Sequence, residues 1–550
     1  MIFFQILIFI VSIVLISISF SGFGKLLSSN SNRYFFLNIF LGYLIISSII
    51  TFIHFFFKIN LLLSLIIFAL GLLIFFYNNK IKLFSFLKVK NIYYVVIILL
   101  LIPIYLSQKY HEDFGYYHLP YAIGLIEEKI IFGFANIDKP YVYNSIWLNL
   151  YSIFFLSDKN FNFLTLPTFL LFLNFITFSV GQVISKNKVE NSDYFLIITL
   201  FYFILKFTRI SEFGFDLPAI IFSILSIYYF IKFSEANLFE EKKEYFFLNS
   251  AFAIFSILIK LSTLPLILLP TYLFFKNFKN LNPYVFNLKF CFIYVFGIIF
   301  LIQQFIYTGC LFFPTNFTCL NVSWFNEENL KLSNELQLVN KSYFHAAKEI
   351  YSPDEYLKNF NWLIFWLKRN FVEIIEHLLT IVFPIILFFI FLKKKKKSSF
   401  LLKEKFILYF FLVIGFLFWL NFSPVYRFAT HLFVTLVFVV LIRHLMNKEF
   451  SKKIFLIFIM SFIFFNFSKN ILRLVETDDI FIGIKKIENK YVLNEKNQNQ
   501  IIKIYRPDVK KNSINSWQGR LCWNTPFICS YYKLEVKKKN SYLIIRKLKE

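Results

Sequence analysis

The chain has 550 residues, of which 58% are hydrophobic and 22% aromatic. This composition excludes a soluble globular domain and indicates an all-α polytopic membrane protein built as a transmembrane helical bundle. The net charge of +26 does not indicate a nucleic-acid partner, because the basic loops alternate along the predicted spans and the sequence has no zinc-finger spacing and no basic region followed by heptads.

A membrane-spanning helix needs about 20 apolar residues, and on that scale the sequence predicts about fourteen spans. They cover residues 2–20, 34–57, 60–77, 92–106, 161–184, 194–207, 217–233, 245–258, 264–275, 290–307, 371–392, 406–420, 428–446 and 454–467. The N-terminus has neither a basic start nor a small-residue cleavage site. We therefore expect the first span to be retained rather than removed as a signal peptide.

Basic residues of alternate loops fall on one side of the bundle if the N-terminus is outside the cell. That side would be the cytosol and would hold, among others, Lys80, Lys186, Lys242, Lys276, Lys393 and Lys452. The opposite, external side then receives the loops 107–160 and 308–370. Residues 1–467 would form the bundle, and residues 468–550 a small extracytoplasmic C-terminal domain.

The five cysteines fall into three groups. Cys291 lies in an apolar run, and we expect it to be buried. Cys310 with Cys319, and Cys522 with Cys529, are close pairs in polar segments, which predicts two disulfides on the external side. Four unpaired thiols are the alternative.

The first long polar loop carries two adjacent carboxylates, Glu112 and Asp113, beside the predicted fourth span. An unpaired carboxylate costs several kcal/mol near lipid, so acids beside spans are solvated, paired or in use. Tyr117 and His118 follow them, and either a functional or a packing role is open for this histidine. The alternative for the loop as a whole is a solvated segment whose acids cap a helix.

Further along the same loop, Asn144 and Trp147 begin a segment that is too short and too polar to span a membrane. We expect residues 144–157 to form an interfacial or re-entrant helix, with Trp147 and Tyr151 at the depth of the lipid headgroups.

A second pair of acids, Glu212 and Asp216, precedes the predicted seventh span. A carboxylate in this position can act as a general base or hold a divalent ion against a phosphate. Asp216, in an Asp-Leu-Pro sequence, also suits helix capping. At the same level lie Lys260 and Arg427, and Arg427 suits either phosphate binding or contact with lipid headgroups.

Other chemistries lack their motifs. The sequence contains no GxxxxGK phosphate loop, no HExxH zinc helix and no GxSxG nucleophile elbow. The centres of the predicted spans carry no acidic residues, whereas ion-coupled transporters usually place ionisable groups there. These observations favour an enzyme with its site at the membrane surface over a transporter.

The order of several short motifs resembles a largely uncharacterised family of bacterial polytopic membrane proteins related to the GT-C glycosyltransferases. The motifs are YHLP, GFAN, NSIWL, SEFGFDLPA, KLSTLPLILLP, TGCLFFP, FSPVYRF and CWNTPFIC. The resemblance implies transfer of a sugar from a polyprenyl-phosphate carrier on the external face, with an acidic residue of an early loop assisting the acceptor. By position this acid is Asp113, or else Glu112, with Asp216 as the second acid.

The same resemblance implies that Lys260 or Arg427 binds the carrier phosphate. Tyr117, His118, Asn144 and Trp147 are the remaining candidate substrate-binding residues. Asp113 and Asp216 are the candidate ligands of a divalent cation, Mg or Mn.

The expected protein is therefore a GT-C-like enzyme of the bacterial inner membrane that is surrounded by membrane lipid and uses a polyprenyl-phosphate-linked sugar as donor. Its acceptor would be an envelope glycan, lipid or protein. A transporter or flippase of lipid-linked glycans, and a non-catalytic partner in envelope assembly, are the alternatives.

Overall fold

A computed structural model provides the fold and describes most of the chain. The described residues are 2–28, 35–79, 92–107, 113–155, 164–185, 189–208, 214–394, 404–445, 448–476, 491–496, 503–507, 521–522 and 525–548. Of the candidate acids named above, Glu112 and Glu212 lie outside these ranges.

The chain is an all-α membrane protein, as predicted. Within the described residues, eight helices are long and apolar enough to cross a membrane. They are Ile2–Gly24, Phe35–His54, Leu166–Ser185, Asp216–Glu235, Leu288–Thr308, Trp362–Ile390, Lys405–Phe422 and Lys452–Glu476. The last of these continues beyond the predicted end of the bundle at residue 467.

Helices that are shorter or less apolar occupy the other six predicted spans. They are Leu61–Asn79, Ile92–Leu106, Asn191–Lys206, Phe239–Ile259, the 3-10 turn Leu261–Ile267 with Leu268–Lys276, and Thr430–Leu445. The Leu261–Lys276 segment bends by 115° into helix Phe278–Val285. The loops add the short helices Leu119–Glu127, Ile146–Tyr151, Glu328–Asn340, Tyr343–Ala346 and Pro353–Leu357.

Glycines bring the first three helices into close contact. A Cβ atom on Gly42 would lie 2.0 Å from the carbonyl oxygen of Phe20, and one on Gly22 would lie 2.0 Å from the carbonyl oxygen of Gly71. Small residues at such crossings let helix backbones approach and gain dispersion contacts where lipid supplies no hydrophobic driving force. The N-terminal helices therefore pack as a tight unit.

Three segments that are distant in sequence pack together at one end of the bundle: residues 113–155, 309–361 and 521–548. We call this end the loop face. The hairpin of strands Leu534–Lys539 and Tyr542–Lys547 is hydrogen-bonded to Phe132, whose N–H donates to Leu543 O at 2.9 Å and whose carbonyl accepts from Ile545 N at 2.8 Å. The two predicted disulfides, Cys310–Cys319 and Cys522–Cys529, are both formed in these segments.

Asn136 ties the three segments together. Its amide donates to Trp324 O and to Ile545 O, both at 2.9 Å, and its carbonyl oxygen accepts from Asn329 Nδ2 at 3.0 Å. Asn136 is 2% exposed, so these bonds replace water that cannot reach it. The loop face is thus a folded layer built from all three segments.

Segments that were predicted to share the cytosolic side also meet, in two places. Strand Lys393–Lys394 pairs antiparallel with strand Lys448–Glu449, and Lys276 Nζ lies 3.0 Å from Glu404 Oε1. The remaining described strands, Tyr491–Lys496 and Lys503–Pro507, form a separate antiparallel pair.

Two expectations about burial are wrong. Cys291 is a free cysteine but is exposed on helix Leu288–Thr308, because an apolar run does not distinguish a lipid-facing side from a core-facing one. Trp147 and Tyr151 are 0% and 2% exposed and so do not lie among headgroups. The short helix Ile146–Tyr151 is enclosed by the bundle, where Trp147 stacks on Tyr43 with 5.3 Å between ring centroids.

We predict that Gly42→Ala lowers the free energy of unfolding in detergent by about 1–3 kcal/mol, since the added methyl meets backbone that cannot rotate away. Gly297→Ala is the matched control, because a Cβ there meets no atom within 4 Å. Equal thermal stability of the two variants would contradict this packing.

We also predict that Asn136→Leu loosens the docked hairpin, because it leaves buried carbonyls without a donor at a cost of about 1–3 kcal/mol. Amide hydrogen exchange in strand Tyr542–Lys547 should accelerate by about tenfold or more. The exposed Asn316→Leu serves as control, and unchanged protection in Asn136→Leu would show that the hairpin does not depend on this residue.

Candidate functional site

Asp216 lies between two cations contributed by distant parts of the chain. Lys260 Nζ bonds Asp216 Oδ1, and Arg427 Nε lies 3.0 Å from Asp216 Oδ2, although without the alignment of a hydrogen bond. The Asp216 and Lys260 side chains are 12% and 14% exposed, and that of Arg427 is 35% exposed. The carboxylate therefore compensates two partly desolvated positive charges.

Local structure explains how these residues meet. Asp216 is the first residue of helix Asp216–Glu235, and Phe215, not Asp216, is the N-cap. Lys260 is an extended residue at the break between helix Phe239–Ile259 and the following 3-10 turn. Arg427 lies in the 3-10 turn Tyr426–Ala429. Capping alone thus does not describe Asp216, whose side chain binds cations instead.

Asp113 and Tyr117 belong to the same electrostatic neighbourhood. Asp113 precedes a π-helical turn, Phe114–His118, a local geometry that is common at functional sites. Burial raises the pKa of Tyr117 well above its ordinary value, and the charges of Asp113 and Asp216 raise it further. Asp113 also acts on the charges of Lys260 and Arg427. We call Asp113, Tyr117, Asp216, Lys260 and Arg427 the charged cluster.

Lys260 is the cation of the cluster that titrates nearest to neutrality. Burial lowers the pKa of its ammonium to about 8, although Asp216 opposes this change. The ammonium lies 3.1 Å from the ring centroid of Phe428 and 5.3 Å from that of Phe215. Its positive charge is lost as the pH rises through about 8, so any anion that it binds should be held less tightly above that pH.

His118 adjoins the cluster within an aromatic setting. Its ring centroid lies 4.3 Å from that of Tyr117 and 5.7 Å from that of Phe215. Gly214 has a positive φ of 47°, and a Cβ on it would lie 2.3 Å from His118 Cε1. Glycine is therefore needed for this turn to pack against the imidazole. A role of His118 in binding substrate stays a prediction.

Asn144 and Trp147 are not part of the charged cluster. Asn144 belongs to a buried network in which its Nδ2 donates to Gln303 Oε1 at 2.8 Å and its Oδ1 accepts from Tyr121 OH at 3.0 Å. The fully buried Trp147 donates from Nε1 to Thr168 Oγ1 at 3.2 Å. Both side chains have hydrogen-bond partners inside the protein, and their contact with substrate stays a prediction.

The predicted metal ligands do not fit a divalent cation well. Among the described residues there is no group of three or more His, Cys, Asp or Glu side chains that could hold a metal ion. Of the two proposed ligands, Asp216 already faces a cation at each oxygen. Like charges would repel an incoming Mg²⁺ or Mn²⁺ at this carboxylate.

Sequence reasoning missed the aromatic and ionic residues around Arg427. Lys206 Nζ lies 3.2 Å from Glu376 Oε1 and 5.8 Å from the ring centroid of Tyr426. Phe215 and Phe428 are direct sequence neighbours of Asp216 and Arg427. This adjacency was the sequence signal that could have placed both phenylalanines at the site, but it is weak in a chain with 82 phenylalanines.

Comparison with known proteins places the chain in a family. Residues 1–434 match the profile described as a domain of unknown function, DUF8201. The chain is a DUF8201 protein. No curated protein and no solved structure gives a significant match. All five residues of the charged cluster lie inside the DUF8201 region, whereas the docked C-terminal hairpin lies outside it.

We predict strong energetic coupling within the cluster of this DUF8201 protein. Asp216→Asn should destabilise it by up to about 3–5 kcal/mol, because two partly buried cations lose their counter-ion. Lys260→Met should lower the free energy of unfolding by a smaller amount, since Asp216 still has Arg427 as an ion-pair partner. The double variant should lose less unfolding free energy than the sum of the two single losses, by about 0.5–3 kcal/mol.

Denaturant unfolding of the four proteins in detergent measures this coupling. Additive losses would show that Asp216 and Lys260 do not interact.

Proposed function

We propose that this DUF8201 protein is an integral-membrane glycosyltransferase of GT-C type. It transfers a sugar from a polyprenyl-phosphate donor to an envelope glycan, lipid or protein. The observation that carries the proposal is the charged cluster, in which a second carboxylate lies near two cations at the mouths of predicted spans. A candidate base and candidate anion-binding groups thus share one electrostatic neighbourhood.

In the proposed reaction the acceptor hydroxyl attacks the anomeric carbon of the donor. The bond from that carbon to the phosphate oxygen breaks, and polyprenyl phosphate departs. Asp113 accepts the hydroxyl proton as general base. Lys260 and Arg427 stabilise the negative charge that develops on the departing phosphate. Asp216 acts as a positioning residue that holds both cations at one place.

We also propose an orientation of the protein in the membrane. About fourteen spans would cross a bacterial inner membrane, with the N-terminus, the loop face and the tail 468–550 outside the cytosol. Two lines support it: the alternation of basic loops, and disulfides on the loop face, which persist in oxidising compartments.

We expect Asp113→Asn to lower the transfer rate by about 10²–10⁴-fold, the usual contribution of a general base. Asp216→Asn should lower it by about tenfold or more through misplaced cations. Purified protein in liposomes with radiolabelled polyprenyl-phosphate sugars supplies the measurement, and the envelope carbohydrate of expressing cells supplies a second one.

Glu335→Gln is the matched control. Glu335 is an acid of the loop face, but it pairs with Lys139 at 2.6 Å on the exposed surface, where an ion pair contributes little. Wild-type transfer by both Asp113→Asn and Asp216→Asn, with intact folding, would refute the proposal.

A further inference from the structure

Lys341 is a buried cation for which the described part of the chain supplies no acid. It follows helix Glu328–Asn340 on the loop face and is 4% exposed. No described carboxylate lies within ion-pair distance of its ammonium, and burial is the sole cause that lowers its pKa, to about 8. The side chain is largely withdrawn from water while its ammonium still reaches the surface, so an anion from outside the chain can pair with it.

The backbone around Lys341 is held in place. Its carbonyl oxygen accepts a hydrogen bond from Tyr356 OH at 2.6 Å, and its neighbour Asn340 donates from Nδ2 to Ser423 Oγ at 3.2 Å. The ammonium itself lies 4.7 Å from the ring centroid of Trp362. A cation–π contact recovers only part of what desolvation of an ammonium costs.

Three tryptophans form a wall beside this lysine. Trp362 and Trp366 begin helix Trp362–Ile390, and Trp419 lies near the end of helix Lys405–Phe422. Their ring centroids are 6.0 Å apart from Trp362 to Trp366 and 5.7 Å apart from Trp366 to Trp419. All three indoles are buried, at 2%, 3% and 7% exposed, so the wall is a rigid part of the protein interior against which Lys341 packs.

The adjacent surface suits lipid. Phe371 and Val372, in the third turn of helix Trp362–Ile390, are 57% and 73% exposed. The basic residues Lys368 and Arg369 are exposed just before them. An apolar surface for acyl chains therefore runs up to a cationic level, a pattern that attracts anionic lipids.

We propose that Lys341 binds the phosphate of a membrane lipid, beside the tryptophan wall. The lipid phosphate supplies the counter-charge that Lys341 lacks within the chain, and its acyl chains lie along the exposed flank near Phe371. No charge of the charged cluster acts on Lys341, although the segment Pro424–Val425 links the tryptophan wall to Arg427 along the sequence. The indoles of Trp366 and Trp419 hold that segment by donating to Pro424 O at 2.7 Å and Val425 O at 2.8 Å.

The test compares lipid binding by wild-type protein, Lys341→Met, Lys341→Arg and the control Lys348→Met. Lys341→Met keeps the apolar stem and removes the charge, whereas Lys348 is exposed on the same segment. Detergent-purified proteins are titrated with phosphatidylglycerol, phosphatidylcholine or polyprenyl phosphate, and bound lipid is counted by native mass spectrometry.

Lys341→Met should bind a phosphate-bearing anionic lipid at least about fivefold more weakly than wild type. Lys341→Arg and Lys348→Met should bind nearly as wild type does, and phosphatidylcholine should be insensitive to all three changes. An effect confined to polyprenyl phosphate would identify the carrier as occupant, and an effect on phosphatidylglycerol would identify a bulk phospholipid.

Binding that Lys341→Met leaves unchanged for both anionic lipids overturns the proposal. Sugar transfer is not part of this assay, so the lipid site can fail while the proposed transfer stands, and the reverse also holds.

Discussion

The shared carboxylate of Asp216 is the interaction on which the candidate site depends. It bonds Lys260 and faces Arg427, and so joins the start of one helix, the break after another and a turn before a third. Each of the two cations would be costly to bury alone, because an uncompensated charge loses several kcal/mol of hydration. Asp216, Lys260 and Arg427 are therefore stable in the protein only together. We call them the trio, and their ion pairs fix how the three elements pack.

The trio also sets the electrostatics of the candidate site. Asp216 faces a cation at each oxygen, and Asp113 is the other described carboxylate of the cluster. A phosphate that approached Lys260 and Arg427 would meet cations already oriented by Asp216, so little reorganisation would be needed on binding. The buried amides of Asn144, Asn149 and Gln303 serve a different purpose, since they bond one another inside the bundle.

Much of the fold was predictable because a span must present about 20 apolar residues, whatever it packs against. Each predicted span coincides with a helix, and the two cysteine pairs join as expected. Which side of a helix faces lipid was not predictable, since hydrocarbon suits both environments, and this explains the errors at Cys291 and Trp147. The residues of the charged cluster could be selected as site candidates from the sequence, because polar groups are rare at the mouths of spans. Lys341 could not be selected, because it packs against Trp362, which is distant in the sequence.

The most direct test of the account is a cryo-electron microscopy map of the protein in a lipid nanodisc with a polyprenyl-phosphate sugar. The account predicts phosphate density within hydrogen-bond range of Lys260 Nζ and the Arg427 guanidinium, with Asp113 facing the anomeric carbon. A donor phosphate bound elsewhere, or Asp113 and Asp216 on opposite faces of the membrane, would contradict it.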